Sequence, residues 1–203
     1  MKVRTLTPHP STPSSAVDRI EVEFDHEGRS SALAIFRLKG RIANIVVPPV
    51  SARVEEVQRR DRREFVQAAL ENRFDDLPGA SEVARADGLW RTTCFEAFAG
   101  LNDGGYAEFN ASLSKEWAAY RFDGYRQGMR NLGGSVDVFT VERDEQGLTI
   151  GAWLNWSEWP RVHRVGVSAV IEETDGTISY WALAHPSDKP DFHHPDSFVL
   201  ELP

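Results

Sequence analysis

Acidic and amide side chains alternate with apolar ones along two successive predicted strands, and an indole ring stands beside them. Because successive side chains of a strand point to opposite faces, Trp90 shares a face with Glu96, and Glu108 shares one with Asn110. If the two strands are neighbours, this face combines planar hydrogen-bonding groups with a flat aromatic surface. Sugars are bound by that combination, since carboxylates and amides bond their hydroxyls and aromatic rings cover their C–H faces. The alternative is a hydrogen-bonded network on an ordinary outer face.

Basic and aromatic side chains extend this candidate site along the chain. Arg121, Tyr125 and Arg126 follow within a short distance, and guanidinium groups add further donors for hydroxyls. The predicted ligand-binding residues are Trp90, Glu96, Glu108, Asn110, Arg121, Tyr125, Arg126, Trp181 and His185.

Three of the six histidines are concentrated near the end of the chain. His185 and His193, with Asp191, could supply nitrogen and oxygen ligands to a divalent metal, but their spacing matches no closed ligand motif. Turn-stabilising histidines beside prolines are the favoured interpretation. A haem-binding redox module is a second alternative, because one histidine, such as His185, together with a second histidine or Met129 could provide axial ligands, although the chain contains no Cys-x-x-Cys-His attachment motif.

An enzyme would need a nucleophile with a base, or an acid pair. Cys94 with a histidine is the obvious thiol pair, but a cysteine within a strand is more often a small buried apolar residue. Glu96 and Glu108 could form a glycosidase pair, yet the sequence does not reveal their separation. We therefore expect a non-catalytic protein without a resident cofactor.

The elements that must position these residues are mostly strands. Short segments rich in β-branched and aromatic residues alternate with turn signals that contain Gly, Asp and Asn. Because few helical segments separate them, the pattern favours an all-β fold, an antiparallel β-sandwich of about ten strands. The candidate strands are residues 19–24, 32–39, 89–98, 106–113, 117–122, 136–143, 148–156, 163–172, 177–185 and 198–202. The proline- and serine-rich start of the chain is expected to run extended along the surface before the first strand.

One segment has a helical pattern instead. Residues 51–77 are densely charged and place apolar side chains near helical spacing, with Ser51 as a possible N-cap and Pro78-Gly79 as a stop. The sequence thus predicts one inserted α-helix at about 51–77 in a single domain spanning 1–203. Its arginine-rich run is interleaved with acidic residues, which favours a solvated, salt-bridged face, and the helix could dock a protein partner.

Composition excludes several classes of function. The 203 residues carry a formal net charge of -8, which would repel a nucleic-acid backbone. A single cysteine excludes an intramolecular disulfide, and no apolar run has the length of a membrane span or of a secretory signal. We therefore expect a cytoplasmic protein with a small-molecule ligand and neither a nucleic-acid partner nor a membrane.

Several segments taken together resemble bacterial DOMON-like domain proteins. They are DGLW at 87–90, TCFE at 93–96, EFN at 108–110, WAAY at 117–120, FDGYR at 122–126, SAVIEE at 168–173, SYWALAHP at 179–186 and KPDFHHP at 189–195. The resemblance implies an immunoglobulin-like or jelly-roll-like β-sandwich of the DOMON superfamily, which is similar to family 9 carbohydrate-binding modules. Members of the superfamily bind haem or sugars, so the resemblance implies a binding module, with Trp90 and Glu96 as the positions carried over from the sugar-binding relatives.

Overall fold

The structure is a computed structural model that describes residues 2–27, 31–50, 85–155 and 162–202. Twelve strands are found in these ranges. They are β1 (Lys2–Pro8), β2 (Val17–Glu27), β3 (Ser31–Gly40), β4 (Cys94–Leu101), β5 (Tyr106–Ser112), β6 (Trp117–Phe122), β7 (Arg130–Asn131), β8 (Ser135–Arg143), β9 (Gly147–Asn155), β10 (Val162–Glu172), β11 (Ile178–Ala182) and β12 (Leu200–Glu201).

The strands form two antiparallel layers. In one layer the order is β1-β2-β3-β9-β8, and in the other it is β7-β6-β5-β4-β10-β11, with β12 beside β10. Hairpin connections between sequential strands account for much of this order, as the predicted turns require. The two layers are joined through β1.

Strand β1 belongs to both layers. Its first five residues pair with β2, whereas Thr7 and Pro8 pair with Ala182 and Trp181 of β11. The prediction that this part of the chain runs along the surface before the first strand is therefore wrong. The alternating pattern was weak here because only Leu6, at 1% exposure, is buried in β1.

The main core lies between the layers. Alternation sends Phe36 of β3 and Phe95 of β4 inward from opposite layers, and their ring centroids lie 5.0 Å apart. The expected inward residues of β5 are also found there, including Phe109. Burial of apolar side chains from both layers is what holds the sandwich together.

The predicted fold class needs correction. Strands number twelve rather than about ten, because β1 and the two-residue β7 carry little sequence signal. The prediction also included an inserted α-helix, whereas the described ranges contain strands, turns and short 3-10 turns and no α-helix. Residues 51–77, where the helix was placed, lie outside the described residues. Within the ranges that the structure covers, no helix is long and apolar enough to cross a membrane.

The second layer has a second cluster of buried residues on its outer face. There Phe98, Tyr106, Tyr120 and Phe122 pack with Phe198 from the segment that follows β11. A sheet with a buried outer face requires something to cover it, and this segment does so. The candidate site lies between the outer face of the second layer and this segment.

Candidate functional site

Strand register brings four polar side chains together on the outer face of the second layer. Glu96 of β4 lies directly opposite Asn110 of β5 and opposite Ser168 of β10. Glu108 is the diagonal neighbour of Glu96, a relation that places Cβ atoms within roughly 7–8 Å of one another. The two carboxyl groups that the sequence placed on one face are thus neighbours on one sheet.

The segment between β11 and β12, residues 183–199, returns across this face and is called the covering segment below. Phe198 stacks on Phe98 with ring centroids 6.0 Å apart, and Phe192 packs against Tyr180 at 5.9 Å. A glycine at 166 permits this approach, because a Cβ there would lie 2.8 Å from the Phe198 ring.

A pocket of about 360 Å³ remains between the sheet and its cover. That volume is near the lower end of the ~300–1,000 Å³ of small-ligand sites. Its lining consists of Trp90, Glu96, Phe98, Glu108, Phe122, Arg126, Met129, Val170, Tyr180, Pro190, Phe192 and His193. The wall is therefore mainly apolar and aromatic, with a few polar groups.

The carboxyl groups of Glu96 and Glu108 are buried and form what is called the pocket floor below. Glu96 is 3% exposed and accepts a hydrogen bond from Ser168 Oγ at 3.2 Å, and Glu108 is 4% exposed and accepts one from Asn110 Nδ2 at 2.8 Å. Burial raises the pKa of Glu108 to about 7, and burial together with the Glu108 charge raises the pKa of Glu96 well above its ordinary value. At neutral pH the pocket thus holds protonated or partly protonated carboxyl groups.

A hydrogen-bonded chain ties the covering segment to the sheet. The backbone N–H of Arg126 donates to Tyr106 Oη at 3.2 Å, and that hydroxyl lies 2.7 Å from His193 Nδ1. The other ring nitrogen of His193, Nε2, lies 3.9 Å from Glu108 Oε2. Burial, with a smaller contribution from the Arg126 charge, lowers the pKa of His193 to about 4, so the ring is uncharged at neutral pH.

Arg126 stands at the mouth of the pocket. Its φ of 54° is left-handed, an uncommon conformation for a residue with a side chain. Its guanidinium forms a 2.8 Å ion pair with Asp191, which also accepts a 2.5 Å hydrogen bond from Tyr125. These bonds hold the mouth in place from the covering side.

Several predicted ligand-binding residues are gathered in this pocket. Trp90, Glu96, Glu108 and Arg126 line it, and Asn110 lies beneath Glu108. Trp90 belongs to the 3-10 turn Leu89–Arg91 rather than to a strand, and its ring meets Tyr120 edge-on at 5.6 Å.

Tyr125 lies at the rim beside Arg126, with its side chain half exposed. It bonds Asp191 and does not line the pocket wall.

Three predicted residues lie elsewhere. Arg121 forms an ion pair with Asp103 at 2.6 Å, and the Trp181 indole is buried in the main core. The His185 Nε2–H donates to Thr7 O, 2.8 Å away, beside the junction of β1 and β11. Trp181 falls on the inner face of β11 because it alternates with Tyr180, which lines the pocket.

Sequence reasoning missed much of the pocket wall. Phe98 could have been found, because alternation places it on the same face as Glu96. Phe192 and His193 carry no such signal, since they lie in an irregular segment whose path over the sheet is not encoded by a local period.

The metal alternative is not supported by the described residues, which contain no group of three or more His, Cys, Asp or Glu side chains able to hold an ion. Asp191 is engaged by Arg126 and Tyr125, and His193 by Tyr106. His185 is bonded at the β1–β11 junction.

The two haem ligands named from the sequence do not both line the pocket. Met129 lines it, whereas His185 does not and has its Nε2 bonded to the Thr7 carbonyl. The nearest polar groups at the pocket floor are carboxyl groups, which are not the ligands that the haem alternative named.

Cys94 lies on the same face of β4 as Glu96, with its Sγ 3.5 Å from Asn110 Oδ1, and is fully buried. Burial, then the charges of Glu96 and Glu108, raise the pKa of its thiol well above the ordinary value. A thiol in these surroundings stays protonated and is a poor nucleophile.

Comparison with known proteins shows a likeness of fold. No family model matches the chain, and no curated protein matches it in sequence, so the DOMON-like resemblance stays a prediction. Among solved structures, the chain is similar to one from Bacteroides uniformis ATCC 8492 described as a "putative carbohydrate-binding protein", with a TM-score of 0.56 and 9% identity. The match covers 98% of this chain and 84% of that one.

Proposed function

We propose that this protein is a non-catalytic binding module whose pocket takes a small carbohydrate-like molecule. The observation that carries the proposal is a pair of buried carboxyl groups, Glu96 and Glu108, at the floor of an aromatic-walled pocket. Each accepts one hydrogen bond from the described residues, which leaves oxygen lone pairs for ligand hydroxyls.

The wall of the pocket suits a sugar ring. Trp90, Tyr180 and Phe192 provide aromatic surface for C–H faces, and Arg126 provides donors at the mouth. The fold likeness to a protein with a carbohydrate-binding description is consistent with this function. The pocket size indicates a ligand of one or two sugar rings rather than a long polymer.

Titration calorimetry against a panel of mono- and disaccharides tests the proposal. We expect saturable binding with modest affinity, and about tenfold weaker binding by Trp90→Ala, since an aromatic platform is removed. Trp153→Ala on β9 of the other layer makes the same chemical change away from the pocket and should retain the affinity. Absence of heat with every sugar at millimolar concentration would contradict the proposal.

A further inference from the structure

The pocket floor has two acidic groups, and among the described residues no arginine or lysine is bonded to them. Glu96 is approached by Ser168 from β10 and by Asn110 and Glu108 from β5, and Cys94 precedes it on its own strand. From the covering segment, neutral His193 faces Glu108.

The basic group closest to the pocket is already paired. Arg126 is bonded to Asp191 at 2.8 Å, its side chain is 51% exposed, and it stands at the mouth rather than at the floor. Two buried carboxyl groups therefore share the floor, and no arginine or lysine of the described residues forms an ion pair with either of them. The Arg126 charge acts on Glu108 from the mouth, but burial outweighs it and the pKa of Glu108 stays raised.

We propose that the ligand carries a protonated amine, as an amino sugar does, and that this amine lies against Glu96 and Glu108. The inference rests on the proposed function and narrows its ligand class. An ammonium group donates three hydrogen bonds, and bonds between charged partners are roughly twice as strong as neutral ones. The surrounding rings of Trp90, Phe98 and Tyr180 suit a cation as well, because aromatic faces attract positive charge.

This arrangement implies that protons leave when the ligand binds. A buried carboxylate is costly without a partner, so each group favours its protonated form in the free protein. A bound ammonium favours the ionised form, and the acid proton is released to the buffer as the ion pair forms. The hydroxyls of the ligand then face the mouth, where Arg126 is a donor.

Calorimetry with D-glucosamine, D-glucose and N-acetyl-D-glucosamine separates the possibilities at about pH 6, where the free amine is protonated. We expect glucosamine to bind at least about tenfold more tightly than the two neutral sugars. Repeating the titration in buffers of different ionisation enthalpy should show release of up to about one proton per bound glucosamine, a measurement that needs no variant.

Substitution of a floor carboxyl group tests whether the preference for glucosamine depends on Glu96 and Glu108. Glu96→Gln has the same shape, and we expect it to reduce the preference for glucosamine over glucose to about threefold or less. Glu142→Gln, an exposed carboxylate on β8 of the other layer, is the matched control and should retain the preference.

The outcomes distinguish the two proposals. If glucose binds as tightly as glucosamine, without proton release, the ammonium inference is overturned while the sugar-binding function stands. If no sugar binds, with or without an amine, the proposed function fails and the inference fails with it. A glucosamine preference that survives in Glu96→Gln and in Glu108→Gln would also overturn the assignment of the amine to these groups.

Discussion

Two buried glutamates of this protein, Glu108 and Glu173, have pKa values shifted in opposite directions because their surroundings differ. Glu173 is buried like Glu108, yet it accepts four hydrogen bonds, from the Ser14 and Ser15 hydroxyls and the Ser15 and Ala16 backbone N–H groups. Burial alone would raise its pKa, but these donors outweigh burial and hold the pKa of Glu173 below its ordinary value. Glu173 thus anchors the chain before β2 as a charged group, whereas Glu108 has spare acceptor capacity in a pocket.

The raised pKa of Glu108 predicts a specific dependence of stability on pH. The folded protein holds this proton up to about pH 7, while the unfolded chain releases it near the ordinary value of 4.5, so the free energy of unfolding falls as pH rises between them. Glu108→Gln removes this contribution and should stabilise the protein by about 1–3 kcal/mol at pH 8 but not at pH 4. Urea unfolding at both pH values measures the difference.

Glu142→Gln serves as the control for that experiment, since this carboxylate is exposed. An equal effect of Glu108→Gln at both pH values would show that the carboxyl group is not held protonated in the fold.

At the scale of elements, the site depends on one irregular segment that packs against five strands, β4, β5, β6, β10 and β11. The segment carries Phe192, His193 and Phe198, and its close packing requires the absence of a side chain at Gly166 of β10. A Cβ at that position would also lie 3.2 Å from the Ser197 backbone oxygen, so the segment itself would have to move. A change in packing at Gly166 would therefore move the covering segment and alter the pocket that it lines.

Gly166→Ala should disturb the cover while leaving the main core intact. We expect a loss of about 1–3 kcal/mol in the free energy of unfolding, as for other overpacked sites, together with weaker sugar binding. Thermal unfolding and titration calorimetry measure the two effects. Gly133→Ala is the control, because a Cβ there would meet nothing within 4 Å and the same substitution should leave both stability and binding nearly unchanged.

At the scale of the whole molecule, β1 joins the two layers. It pairs with β2 in one layer and with β11 in the other, so that neither β2 nor β11 is an unpaired edge strand of its layer. The only residue of β1 with a fully buried side chain is Leu6, at 1% exposure, whereas Val3 is 49% exposed. The apolar attachment of this strand to the core thus relies on one buried side chain, and the other bonds that hold it are polar, including those of Thr7 with Ala182 and His185.

Leu6→Ala is expected to destabilise the sandwich by about 2–5 kcal/mol, because it removes buried apolar surface and leaves a cavity where the layers join. Val3→Ala on the same strand should change the stability by less than about 0.5 kcal/mol. Chemical denaturation of both variants makes the comparison, and similar effects would mean that β1 is not held in the way described.

The sequence by itself determined most of the described strands, though not β1 and β7, and the direction of most of their side chains. A period of two is local, so it could be read from Glu96, Glu108 and Phe109 without knowing what lies opposite them. It placed the carboxyl groups on one face and the apolar residues in the core.

Tertiary structure alone decided that the polar face is a pocket. The bond between Tyr106 and His193 and the ion pair between Arg126 and Asp191 join residues far apart in the chain, and the path of the segment that makes them follows no periodic pattern. The same holds for β1, whose pairing partners lie in two layers. Such contacts result from the packing of many elements at once, and no local run of residues encodes them.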